Sequence, residues 1–116
     1  MPLTKYFADL EKKLKTLGPI ILKNPRRNTS TIVETTKDSI IYIRGKSRIT
    51  LKKDLIIDAY KKYKGKTVST TDLKRFNKSF KLKPCNATFF LMLMREFFRI
   101  PIKGRGVRGK PFYICL

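Results

Sequence analysis

Histidine and tryptophan are absent from the 116 residues, cysteine occurs twice, and only 8 acidic residues stand against 28 lysines and arginines. Without histidine there is no His-dependent zinc site and no Ser-His or Cys-His nucleophile pair. Two cysteines, Cys85 and Cys115, are too few for a four-thiolate metal site, and they read as thiols in a reducing cytoplasm rather than a disulfide. Long apolar runs are missing too. The longest, Phe89 to Met94, falls far short of the ~20 residues that span a bilayer. Near the start, Tyr6, Phe7 and Leu10 alternate with lysines and acids, unlike an export signal, so the expectation is a cytoplasmic protein.

The scarcity of acids is the most informative lack. The 8 acids are scattered, so no carboxylate cluster can hold Mg²⁺ beside a phosphate. Asp54 and Asp58 lie one helical turn apart, but the lysines at 52, 53, 61 and 62 make that face charge-balanced. No catalytic residue, metal or cofactor is expected, which makes the chain a non-enzymatic binder. Codon bias in an AT-rich genome would explain 19 lysines, 12 isoleucines and only 3 alanines, but it raises Glu along with Lys. A net charge of +20 therefore needs a partner. A polyanion fits, with nucleic acid ahead of an anionic membrane surface.

Hydrophobic residues make up 41% of the chain, enough for one core, and the length fits one domain, residues 1–116. Leu3, Tyr6, Phe7, Leu10, Leu14 and Leu17 recur at helical spacing, and Gly18-Pro19 ends that helix. Residues 23–28 read as a basic loop. Thr31 to Thr36 and Ser39 to Arg44 are β-branched runs around a Lys37-Asp38 turn, a β-hairpin that Gly45 breaks. A helix from Leu51 to Lys64 follows, with Thr50 as cap and Gly65 as stop, and Val68 is a short link. Ser69-Thr70-Thr71-Asp72 has capping-box spacing, opening a short helix that ends between Asn77 and Phe80. Lys81 to Pro84 is a turn. Cys85 or Asn86 caps a last helix, Ala87 to Arg99, and Ile100 to Lys103 pairs with Phe112 to Leu116 across a Gly/Arg loop. The class is α+β, with residues 1–50 forming a helix and hairpin and residues 51–116 forming three helices and a hairpin.

From Leu51 onward the chain resembles a winged helix-turn-helix DNA-binding domain. The resemblance rests on the capped helix at Ser69, the break at Lys81 to Pro84, the helix from Asn86 and the glycine-rich hairpin. Upstream, Asn28 to Thr36, Ser39 to Arg44 and the helix ending Tyr63-Lys64-Gly65 are similar to small modules beside restriction-type nuclease domains. No nuclease centre is visible, so only DNA binding is implied. Such a fold lays its last helix in the major groove and its wing on the flank.

Candidate contact residues follow from charge and periodicity. Arg105, Arg108 and Lys110 alternate with Gly104, Gly106 and Gly109, a pattern suited to a backbone that approaches phosphate closely. On the last helix, Thr88, Met92, Arg95 and Arg99 form one stripe, and the resemblance implies that Asn86, Thr88 and Phe89 sit nearest the base edges. Lys74, Arg75, Lys78, Lys81 and Lys83 extend the basic surface. Arg26 and Arg27, with Lys23, form either a minor-groove arm or a flexible loop. Tyr60 and Tyr63 could stack on unpaired bases, but their alignment with Leu55, Ile56 and Ala59 favours core packing. Duplex DNA is the favoured partner. An RNA-binding or ribosome-associated module, and the DNA-recognition subunit of a nuclease assembly, remain alternatives. A homodimer or a protein partner is left open.

Overall fold

A computed structural model describes residues 3–116. Helix α1 (Leu3–Leu17) is followed by four antiparallel strands, β1 (Ile20–Lys23), β2 (Thr29–Thr35), β3 (Ser39–Arg44) and β4 (Ser47–Lys52), paired in the order β1-β2-β3-β4. Then come α2 (Lys53–Tyr63), β5 (Thr67–Ser69), α3 (Thr70–Phe76), α4 (Lys78–Leu82), α5 (Pro84–Phe98) and β6 (Tyr113–Cys115), with β5 and β6 pairing antiparallel. The class is α+β.

The expected β2–β3 hairpin is present, but it forms the centre of a four-stranded meander. Ile20 to Lys23 adds an edge strand through its register with Ile32 to Thr29. Beyond Gly45, which takes a positive φ of 59°, the chain turns back and pairs along all of β3. Thr50 is therefore a strand residue facing Ile41, not a helix cap, and Lys52 precedes α2 without a side-chain cap. Alternation decides this. Ile49 and Leu51 are buried while Arg48, Thr50 and Lys52 are exposed, a period of two that a helix cannot satisfy. The β2–β3 register shifts between Ile32 and Glu34, a bulge at Val33.

The capping box forms as its spacing predicts. The Asp72 backbone N–H donates to Ser69 Oγ at 3.0 Å, and the Ser69 N–H donates to Asp72 Oδ2 at 2.9 Å. The following helix is broken at Asn77, whose Oδ1 accepts from the Ser79 N–H at 2.8 Å and so starts α4. The expected turn at residues 81–84 is the end of α4 and the start of α5. Pro84 stands at the first helical position, where no intrahelical N–H is required.

Val68 is no mere link. It and Ile114 are fully buried partners in the β5–β6 pair. The C-terminal strand is therefore paired chiefly with β5. The segment expected as its hairpin partner, Ile100 to Lys103, contributes one bridge, Lys103 to Tyr113.

One core joins residues from both halves of the chain, and α5 runs through its middle. Phe89, Phe90, Leu91, Met92, Leu93 and Met94 are all buried. Aromatic contacts reach this helix from four sides. Tyr6 of α1 meets Phe97 at 4.7 Å, Tyr42 of β3 stacks on Phe89 at 3.8 Å, Tyr60 of α2 stacks on Phe98 at 5.1 Å, and Phe80 of α4 meets Phe90 edge-on at 6.1 Å.

Candidate nucleic-acid interface

The glycine-rich loop owes its shape to two close approaches. Gly104 has φ 91° and Gly106 φ 69°. A Cβ at Gly104 would collide with the Pro111 carbonyl oxygen, and one at Gly106 with the Phe112 ring. The Lys110 carbonyl accepts from the Gly106 N–H at 2.9 Å, and Lys110 donates back to Val107 O at 2.9 Å. Arg105, Arg108 and Lys110 are thrown outward onto two faces. Arg108 faces a cleft shared with the N-terminal sheet, while Arg105 and Lys110 face a shallow hollow beside Thr67 and Tyr113.

The loop at residues 24–28 is ordered by Asn24, which is only 5% exposed. Its side-chain Oδ1 accepts from the N–H groups of Arg26 at 2.9 Å and Asn28 at 3.0 Å. Its carbonyl accepts from Arg27 at 2.8 Å, and Arg27 takes a left-handed φ of 65°. These bonds make the segment a tight turn. It aims Arg26 at the glycine-rich loop, where the guanidinium donates to Gly106 O at 3.4 Å, joining two segments 80 residues apart.

Between these two loops lies a cleft of about 480 Å³. Arg26, Arg108, Arg44 at the end of β3 and Lys74 of α3 line it. Thr70 and Thr71 of α3 and Thr88 of α5 bring hydroxyls, and Pro84, Cys85 and Val107 make an apolar wall. Among the described residues, no acidic one lines it. Among the described residues, ion pairs join Lys15–Glu11, Arg48–Glu34 and Arg95–Glu96, so none of the four cleft cations is paired.

The expected stripe on α5 is divided. Thr88 reaches the cleft, but Met92 is buried, and Arg95 and Arg99 border a separate hollow with Lys13 at the far end of the helix. Arg95 is used internally, donating to Lys23 O at 2.7 Å. Asn86 is neither a cap nor a surface residue. It is 4% exposed and its Oδ1 accepts from the Tyr42 hydroxyl at 2.8 Å. The cause is the four-stranded sheet, which covers the side of α5 that a base-reading helix would need free. Burial raises the Tyr42 phenol well above its ordinary range, with Cys85 adding to the shift and Arg44 opposing it.

Of the remaining sequence candidates, Arg75, Lys78, Lys81 and Lys83 are exposed on α3, α4 and the α4–α5 junction, outside the cleft, and Lys74 alone of that group enters it. Tyr60 and Tyr63 pack inward as their spacing implies. Tyr63 meets Phe76 at 6.0 Å and its hydroxyl donates to Asp72 O at 3.3 Å. Sequence reading missed Arg44, Asn24 and the α3 threonines as site residues. Asn24 had a signal in its Asn-Pro turn; Arg44 had none, because only the fold carries the end of β3 to the glycine-rich loop. Cys85 and Cys115 are both free thiols, and no group of His, Cys, Asp and Glu among the described residues could hold a metal ion. No helix among them is long and apolar enough to cross a membrane. Comparison with family models, curated proteins and solved structures finds no match to the chain.

Proposed function

We propose that this is a non-enzymatic DNA-binding protein whose C-terminal part is a winged helix, docking on duplex DNA through its wing and the basic surface of α3 and α4. One observation carries the reading. From Leu73 to Leu116 there are eleven cations and a single acid, Glu96, and the one cation held by that acid is Arg95. The rest are free to meet phosphates. The order α2, β5, α3, α4, α5, β6, with β5 pairing β6 and a glycine-rich loop between α5 and β6, supports the winged-helix part. The burial of Asn86 and of residues 89–94 limits α5 to its first turns, so base reading is confined to the neighbourhood of Thr88. Phosphate contacts position a protein without reading sequence, so weak sequence preference is expected.

The test is binding to a covalently closed duplex circle across a range of salt. Each phosphate contact contributes about −0.9 to the log–log slope, so a slope of several units is expected. A flat dependence sinks the reading. Competition with structured RNA decides the partner class: RNA displacing the duplex at lower concentration would favour an RNA-binding module instead.

A further inference from the structure

The cleft between the two loops differs from the rest of the basic surface in shape and in charge. Arg75 on α3 and Lys78 and Lys81 on α4 stand on open surface, suited to a passing duplex backbone. Arg26, Arg44, Lys74 and Arg108 instead converge on a concavity of about 480 Å³, without an acid among its lining residues and without an ion pair. Four like charges brought together repel one another, and the fold holds them there from four separate elements. Asn24 orders the turn that delivers Arg26. Such an arrangement is relieved by an anion of more than one charge. A phosphodiester carries one negative charge. A phosphomonoester carries ~1.5 to 2, with three strong acceptor oxygens. Arginine forks match those oxygens in pairs. The space is larger than one phosphate needs and lies within the ~300–1,000 Å³ of small-ligand sites. The wall of Pro84, Val107 and Cys85 offers apolar surface for the rest of a ligand, and the Thr71 and Thr88 hydroxyls offer donors and acceptors beside it.

We propose that the cleft formed by Arg26, Arg44, Lys74 and Arg108 is a pocket for the phosphomonoester of a nucleotide, either free or at the end of a nucleic-acid strand. The phosphate sits among the four cations and the nucleoside lies toward Pro84 and Val107. The pocket shares Arg108 and Lys74 with the proposed duplex surface, but a closed circle has no phosphomonoester and so reports duplex docking apart from it.

The experiment measures binding of the full chain to two matched pairs at one salt concentration: adenosine 5′-monophosphate against adenosine, and a short single strand with a 5′-phosphate against the same strand with a 5′-hydroxyl. A preference of at least about tenfold for the phosphorylated member is expected in one pair or both. The first pair reports a free nucleotide as the source, the second a strand end. R44Q and, separately, the exposed R26Q should each reduce the preference to about threefold or less. R26Q keeps the test decisive where R44Q disturbs the sheet. Equal binding within both pairs overturns the proposal, as does a preference that survives both substitutions. Binding to the closed circle is measured alongside. Its loss would remove the duplex reading and leave the pocket standing, while its retention with equal binding in both pairs would do the reverse.

Discussion

At the scale of single residues, the interior polar groups carry structural duties that their chemistry makes strict. Tyr42 is fully buried and donates to Asn86, itself buried. Asn86→Ala removes the partner of a buried hydroxyl and should cost about 1–3 kcal/mol, read by denaturant unfolding. A cost near zero would mean that water replaces the amide. Burial also raises the phenols of Tyr6 and Tyr42, with Glu96 adding to the shift at Tyr6. Their folded values exceed the ordinary tyrosine value of about 10, so the stability they contribute is whole below that pH and falls as the pH rises above it. In an alkaline titration followed by tyrosinate absorbance, Tyr6 and Tyr42 should ionise only as the helical circular dichroism is lost. Ionisation of all five tyrosines with the helices intact would refute their burial. Gly106→Ala should destabilise the glycine-rich loop, since the added methyl meets the Phe112 ring and φ is left-handed. Strain of this kind costs on the order of 1–3 kcal/mol, and an unchanged melting temperature would contradict it.

At the scale of elements, α5 is buried and the glycine-rich loop is exposed. Leu91 is fully buried in α5, and Leu91→Ala should cost about 2–5 kcal/mol. Phe97, half-buried against Tyr6, should lose less on truncation. Arg95 looks on a helical wheel like a groove-reading residue, yet its guanidinium closes on the carbonyl of Lys23. Arg95→Ala is therefore expected to lower stability and leave the order of preferred duplexes unchanged. A changed order, measured over a panel of duplexes at fixed salt, would restore Arg95 as a base reader. Arg105 and Arg108 are exposed, and replacing both with alanine should hold stability within about 0.5 kcal/mol while weakening duplex binding across all sequences. Parent-like binding by that double variant would remove the glycine-rich loop from the proposed interface.

At the scale of the whole molecule, charge dominates. The chain carries +20 within a radius of gyration of 13.2 Å. Electrostatic screening acts over ~8 Å at physiological salt, so neighbouring cations repel strongly while opposite ends of the molecule do not. The exposed ion pairs offset little of this, because such pairs contribute ~0–1 kcal/mol each. Melting temperature should accordingly rise with ionic strength, even as nucleic-acid affinity falls. A melting temperature that drops with added simple salt would show that surface pairing outweighs repulsion.

Local signals determined a large part of this protein. Helical spacing from Leu3 to Leu17, the Ser69-Asp72 capping box, the β-branched runs of β2 and β3, and the glycine-rich loop each depend on interactions within a few residues, and each is where the sequence puts it. The excess of cations over acids is likewise a property of composition. What the sequence left undecided depends on distant partners. Ile20 to Lys23 is too short to declare itself a strand until β2 lies beside it, and Val68 becomes β5 only when Ile114 arrives from the far end of the chain. The α5 stripe could not be assigned either, because a helix apolar on one face and basic on the other fits both a groove and a core. The packing of the four-stranded sheet onto Phe89 and Asn86 puts that side of the helix in the core. The cleft has the same origin. Arg26, Arg44, Lys74 and Arg108 are separated by tens of residues, and no local rule brings them together. Burial of the apolar faces of both halves in one core does so, carrying the cations on those elements to a common opening.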